Sequence, residues 1–350
     1  NTVMGDRALQ TLTGQTANVA IGYAALYTNA AAGNTAVGYD SMFANTTGTE
    51  NVAVGYGTLN TATTAQGNTA VGYNVLTAQT TGSDNTAIGS SALITSTTAA
   101  NNVAVGTSAL KLNTGAGNTA LGRGALLNNS TANNNVAVGF DALNDNTTGT
   151  RNVAVGTYAL DANTTASYNT AVGYYALSGN TTGASNTAVG DYSLAVSTTG
   201  SNNVALGNSA LVANTTGGNN VSIGHISLYS ATTADNNTAV GKSALQSATT
   251  GGTNTAVGSS ALLANTTGTA NTAVGYGSLD ANTTASYNTA VGTNALGANT
   301  TGANNAAFGS NTLDANTTAS HNAAFGNNAM SANTTGEYNT AVGSNALDAN

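Results

Sequence analysis

Residues 271–287 read Asn-Thr-Ala-Val-Gly-Tyr-Gly-Ser-Leu-Asp-Ala-Asn-Thr-Thr-Ala-Ser-Tyr, and Asn288 begins the same phrase again. Read outward in both directions, this unit recurs every 17 residues from Asn1 to Asn339, giving twenty full units and a last one that stops at Asn350. The units at Asn18 and Asn102 are shorter, at 16 residues. A short fixed period means one structural unit stacked on its neighbours, so residues 1–350 are read as a single continuous array.

Numbering the unit from its Asn gives each position a character. Position 1 is Asn in all 21 starts, position 3 is Ala in 19 of them (Val3 and Ser222 differ), and position 5 is always Gly. Position 4 is apolar, as in Met4, Val37, Ile88, Leu121 and Phe308, and position 9 is Leu or Met. Positions 2 to 4 alternate β-branched residues with Ala, which predicts a short strand. The large residue at position 4 is expected to face the core, with Leu at position 9 as the second core side chain. The near-constant Ala at position 3 is expected to face a close neighbour. Gly at position 5 is expected at positive φ, where other residues meet a steric penalty. Positions 6 to 11 fit either a second strand or one helical turn. A unit this short cannot bury its own apolar face, so the expectation is an all-β parallel β-solenoid with an amide ladder at position 1. Rungs ~4.8 Å apart would give twenty units a span of roughly 95 Å. So slender a coil would gain from lateral partners, and a homotrimer around an axis through position 3 is expected.

Composition narrows the function classes. Charged residues are 5% of the chain and the formal net charge is −8. A basic surface for phosphates is absent, so no nucleic-acid partner is expected. The five cationic residues (Arg7, Lys111, Arg123, Arg151 and Lys242) are scattered. There is no Cys, which removes disulfide frameworks and thiolate metal sites. There is no Pro, in keeping with a long hydrogen-bonded ladder. No stretch approaches the ~20 apolar residues of a membrane helix, so no membrane insertion is expected in this segment. The chain begins at Asn and stops within a unit, and is read as a processed product or an excerpt of a longer protein.

The units resemble head repeats of trimeric autotransporter adhesins of the YadA type. Those carry an Ala-Ile-Gly-x-x-Ala-x-Ala-x-Gly pattern with Asn or Ser before the strand. Residues 271–278 match its strand and first turn, while the second half, around Asn282-Thr-Thr, is longer. The units are also similar to repeats preceding the self-cleaving chaperone domain of some phage tail fibres and bacterial surface fibres. The resemblance covers all 350 residues. It implies a left-handed parallel β-roll, homotrimeric and extended, outside the cell or at its surface.

Chemistry is sparse. His225 and His321 lie 96 residues apart at variable positions, and no carboxylate partners them for acid–base work. Asp161, Asp280, Asp314 and Asp348 share position 10, but no two fall in adjacent units, too few oxygen ligands for calcium. Gly241-Lys242-Ser243 lacks the upstream Gly of a phosphate loop. No cofactor, metal or catalytic residue is expected. Tyr23, Tyr39, Tyr56 and Tyr73 fill position 6 of four successive units and predict an exposed aromatic ladder. It serves either cross-coil stacking or the binding of a surface glycan or protein receptor. Ten Asn-Thr-Thr triplets begin at Asn45, Asn146, Asn163, Asn180, Asn214, Asn265, Asn282, Asn299, Asn316 and Asn333. They are turns, N-glycosylation acceptors or a water-ordering Thr array. The expected function is a structural fibre, an adhesin shaft or head without enzymatic activity, self-associating laterally and end to end. A phage tail-fibre shaft and an ice-binding solenoid are the alternatives.

Overall fold

The computed structural model describes residues 1–11 and 14–348. The chain is all-β, with 21 three-residue strands from β1 (Thr2–Met4) to β21 (Thr340–Val342) and no helix among the described residues. It divides into two compact units, Asn1–Ala171 and Val172–Asn350, with the division inside β11 (Thr170–Val172). The repeat gives no hint of this division. Each unit is a parallel β-solenoid of coils about 17 residues long. In the first, successive strands pair in parallel from β1 to β10 (Val153–Val155). In the second they pair from β12 (Thr187–Val189) to β21. Register never slips: Ala256 faces Ala273, and Ala273 faces Ala290.

Positions 6 to 11 are neither a strand nor a helical turn. They are turns that still bond coil to coil, as when Leu262 N–H donates to the Ser278 carbonyl at 3.0 Å. The bends come from backbone geometry. Gly at position 5 has φ between 126° and 140° in every coil. A Cβ on Gly275 would lie 2.5 Å from the Gly292 carbonyl oxygen, so the column admits only Gly. Positions 7, 9 and 17 are also left-handed. Leu279 has φ 51°, Tyr287 has φ 62° and Ile226, β-branched, has φ 51°. Residues other than Gly, Asn and Asp resist this region, at roughly 1–2 kcal/mol each.

The strand faces are the reverse of the sequence expectation. Ala at position 3 points into the coil and is fully buried, from Ala20 to Ala324. Position 4 points outward: Ile88 is 39% exposed and Leu121 48%. The reason is width. The interior must also hold Asn at positions 1 and 12 and Leu at position 9, all buried, and only a methyl group fits beside them. A lateral axis through position 3 is therefore ruled out, because that side chain lies inside its own coil.

Two asparagine columns organise this interior. At position 1, each side-chain oxygen accepts the backbone N–H of the next Asn: Asn288 N–H donates to Asn271 Oδ1 at 3.0 Å and Asn305 N–H to Asn288 Oδ1 at 2.9 Å. Each Nδ2 donates to the position-15 carbonyl of its own coil, as from Asn288 to Gly302 O at 2.9 Å. The position-12 Asn reaches the same carbonyl, since Asn299 Nδ2 donates to Gly302 O at 2.9 Å and to Asn282 Oδ1 at 3.1 Å. Both lone pairs of one buried carbonyl are thereby used. The short coils keep this bond. Asn29 Nδ2 reaches Ala31 O at 2.7 Å and Asn113 Nδ2 reaches Gly115 O at 2.8 Å, across one residue fewer than Asn45 to Gly48.

The position-12 column is broken where Ala62, Ala231 and Ala248 replace Asn, and it carries Gln79, Ser96 and Ser197 in three further coils. Buried Asn45 Oδ1 and Asn214 Oδ1, each facing such a break, have no donor. Replacing Ala231 and Ala248 together with Asn joins Asn214 to Asn265 and should stabilise the second unit by about 2 kcal/mol in urea melts. Asn288→Ala orphans the buried Asn305 N–H and should cost about 3 kcal/mol in the same measurement.

Candidate functional site

The described residues form no pocket. They also place no group of three His, Asp or Glu to hold a metal ion. What remains is surface, and its periodic columns are the candidate sites.

Tyr23, Tyr39, Tyr56 and Tyr73 stack in a single file. Ring centroids lie 5.1, 5.2 and 5.3 Å apart with interplanar angles of 13°, 7° and 16°. Exposure runs from 36% at Tyr23 to 54% at Tyr73. The spacing is that of the coils, so aromatics at one position in adjacent coils fall face to face. The same rule stacks Tyr27 on Phe43 at 4.9 Å and His321 on Tyr338 at 4.8 Å. Arg7 lies over the free face of Tyr23, 5.8 Å from its centroid. Within the column the ring faces are occupied by their neighbours, and solvent meets edges and hydroxyls. Such a column can accept and donate hydrogen bonds at coil spacing. It offers little open ring face for a sugar to stack on. The charge of Asp40 is the main cause that raises the Tyr39 phenol above its ordinary value.

The ten Asn-Thr-Thr asparagines are placed inside the coil. Asn45, Asn146, Asn163, Asn180, Asn214, Asn265, Asn282, Asn299, Asn316 and Asn333 are all at most 1% exposed. Asn146 Nδ2, for example, donates to Asn129 Oδ1 and to Gly149 O. The nitrogen a glycan would need is buried and hydrogen-bonded, so the folded coil does not offer these sites for modification. The first Thr of most triplets also bonds along the column, as Thr266 Oγ1 does to Thr283 O at 3.0 Å. The second Thr is exposed throughout, from Thr47 to Thr335. It persists where position 12 is not Asn, as at Thr64, Thr233 and Thr250, so the sequon is not what retains it.

His225 is exposed and His321 is occupied by its stack on Tyr338. Asp280 and Asp314 lie two coils apart, and burial is the main cause that raises both carboxyls. Half-buried Asp161 is pushed up to about 6, first by desolvation and then by the charges of Asp145 and Asp141. Of those two, Asp145 accepts from Asn128 Nδ2 at 2.9 Å and Asp141 from Asn144 Nδ2 at 3.3 Å. This is a partly desolvated carboxylate that feels two other carboxylates, and no pocket adjoins it among the described residues.

The feature sequence reasoning assigned to the interior is the outer strand face. Positions 2 and 4 form two columns of side chains, half-exposed to exposed, in both units. In all 21 coils they carry only Thr, Val, Ala, Ile, Leu, Met or Phe. Every charged residue of the chain lies elsewhere. No protein-family model matches the chain, and no curated protein matches it.

Asp161 sets a pH dependence. Its folded value of about 6 lies above the ordinary 3.8, so below that lower value it is neutral in both states and has no effect. As pH rises toward the folded value the unfolded chain ionises first, and stability falls. Asp161→Asn should therefore raise the melting temperature by a few degrees at about pH 7.5. The gain should disappear near pH 3.5, as thermal melts followed by circular dichroism can check.

Proposed function

We propose that this chain is a structural segment of an extracellular or cell-surface fibre. It extends and presents an adhesive surface, performs no catalysis, and works as a homotrimer of left-handed coils. The observation that carries this reading is the division of labour within each coil. The inward positions 1, 3, 5 and 9 barely change along the chain, while outward positions 6, 7, 10, 11, 16 and 17 change from coil to coil. An invariant scaffold with a changing exterior suits display over distance, with each coil a separate facet. The lack of Cys fits a protein that holds together outside the cell without disulfides. A receptor, glycan or protein, would meet the outward aromatics and the varied polar side chains.

Attachment tests the reading. Displayed on an inert bacterial surface, the chain should increase binding to glycan- or protein-coated plates several-fold. Replacing Tyr23, Tyr39, Tyr56 and Tyr73 with Ser should reduce that gain while leaving circular dichroism unchanged. No gain on any coating would refute adhesion, and release of soluble sugar from a polysaccharide coat would refute a non-catalytic role. Within each unit the exposed position-14 Thr residues, such as Thr148 and Thr165 in the first and Thr284 and Thr301 in the second, favour one second reading, adsorption to ice. Thermal hysteresis of the purified chain would reveal it.

A further inference from the structure

We infer that the outer strand face is a seam along which copies of this chain associate, parallel and in register, the position-4 side chain of one copy resting on the position-2 side chain of the same rung in the next. This deepens the fibre reading and rests on it, since it names the partner and the surface through which the fibre would hold together.

Three features of the strand face carry it. The first is chemistry. A strand face left in water ordinarily alternates with polar or charged residues outward. Here Val257, Val274, Phe308 and Phe325 are 36–41% exposed within the second unit alone, beside Thr272 and Thr289, and no charge interrupts them. An exposed, flat, charge-free sheet face marks an interaction surface.

The second is period. The face repeats at the coil spacing, seen directly in the 5.0 Å separation of the stacked Phe308 and Phe325 rings. Over ten rungs, a row of knobs this regular is matched only by a surface with the same repeat. A second copy of this chain has it. The planar footprint is roughly 500 Å² for each unit, from three residues of strand by ten rungs. A standard interface takes ~800 Å² per partner, so the face of one unit supplies more than half of it.

The third is volume. Position 2 is Ala only at Ala306 and Ala323, and position 4 is Phe only at Phe308 and Phe325, in the same two rungs. The large side chain is offset by a small one at its own level. Water imposes no such limit, but a packed partner does, because close-packed interiors tolerate neither overfilling nor voids. The pairing also fixes the geometry. When copies are related by rotation about an axis along the stack, position 4 of one faces position 2 of the next at the same rung, so Phe308 would meet Ala306. An antiparallel pair would set position 2 against position 2 and would bring different rungs together, leaving the Phe residues without their matching Ala.

The chain has no Cys, so cysteine pairs report directly. Thr272→Cys and Val274→Cys chains, differently tagged and refolded together, should join through a short bismaleimide at least several-fold more than Thr238→Cys with Val274→Cys. Light scattering should give the parent an integer multiple of the chain mass. Val257→Glu with Val274→Glu should drop it to one chain with unchanged circular dichroism, and Ser259→Glu, outward at position 6, should not. A monomeric parent, a charged variant of parental mass, or equal linking between unlike rungs would overturn the seam. The plate assay separates the two proposals: attachment by a monomer removes the seam and the homotrimer but leaves adhesion standing, and an oligomer that attaches to nothing removes adhesion alone. If the charged variant fails to fold, the linking ratio still decides.

Discussion

The amide of the position-1 asparagine holds each coil in two directions at once. Its oxygen takes the N–H of the next Asn, as Asn254 Oδ1 does from Asn271, and its nitrogen closes its own coil on the position-15 carbonyl, as Asn254 Nδ2 does on Gly268. Asn carries separate donor and acceptor atoms on a short arm. Asp would lose the donor, and Gln would push the carbonyl out of reach. The left-handed corners, the Gly column and the narrow core all presuppose this clamp. A single coil has little apolar interior beyond one Leu and two or three Ala, as Leu126 with Ala120, Ala125 and Ala132, so the polar ladder sets the register in which that small core closes.

The polar interior explains why the chain needs so little bulk. Its buried side chains are chiefly Asn, Ala and Leu, and the buried Asn amides donate to coil carbonyls, as Asn152 Nδ2 does to Ala166 O and Asn265 Nδ2 to Gly268 O. A buried amide network is favourable when complete and costly when partial. The breaks at Ala62 and Ala231 show the partial case, where Asn45 Oδ1 and Asn214 Oδ1 are left without donors. Elsewhere, small polar residues at position 16 do similar work outside: Ser286 Oγ accepts the Thr269 N–H at 3.0 Å, and Ser320 Oγ the Ala303 N–H at 3.1 Å. Polar side chains in this protein mostly serve its own backbone.

The period made the stacked architecture, the strand at positions 2 to 4, the amide ladder and the positive φ at Gly275 legible in the sequence. The orientation of that strand was not. Alternation tells which residues share a face, and hydrophobicity usually tells which face is inside. Here the larger apolar residues lie outside, because the asparagines occupy the room that Val274 would need. The clue was the asymmetry of tolerance: position 3 admits almost nothing but Ala, whereas position 4 accepts anything from Val to Phe. A position that accepts Phe308 and Val291 alike is not in a core this narrow. The left-handed residues at 7 and 17 were half legible through their many Asn, Asp, Ser and Gly. The one at Leu279 was invisible, since Leu has no preference for that region. Burial of Asn282 was hidden by the ordinary turn reading of Asn-Thr-Thr.

The corner between positions 12 and 15 closes whether it spans three residues, as from Asn45 to Gly48, or two, as from Asn29 to Ala31. The amide bridges both lengths and the rung beyond it keeps its place. A deletion there is absorbed locally instead of shifting every later coil by one. Gene duplication can therefore lengthen such a chain with imperfect copies, and a foreign peptide spliced after Asn282 or Asn299 would emerge sideways from one coil, like a label on a ruler, with the graduations on either side unmoved.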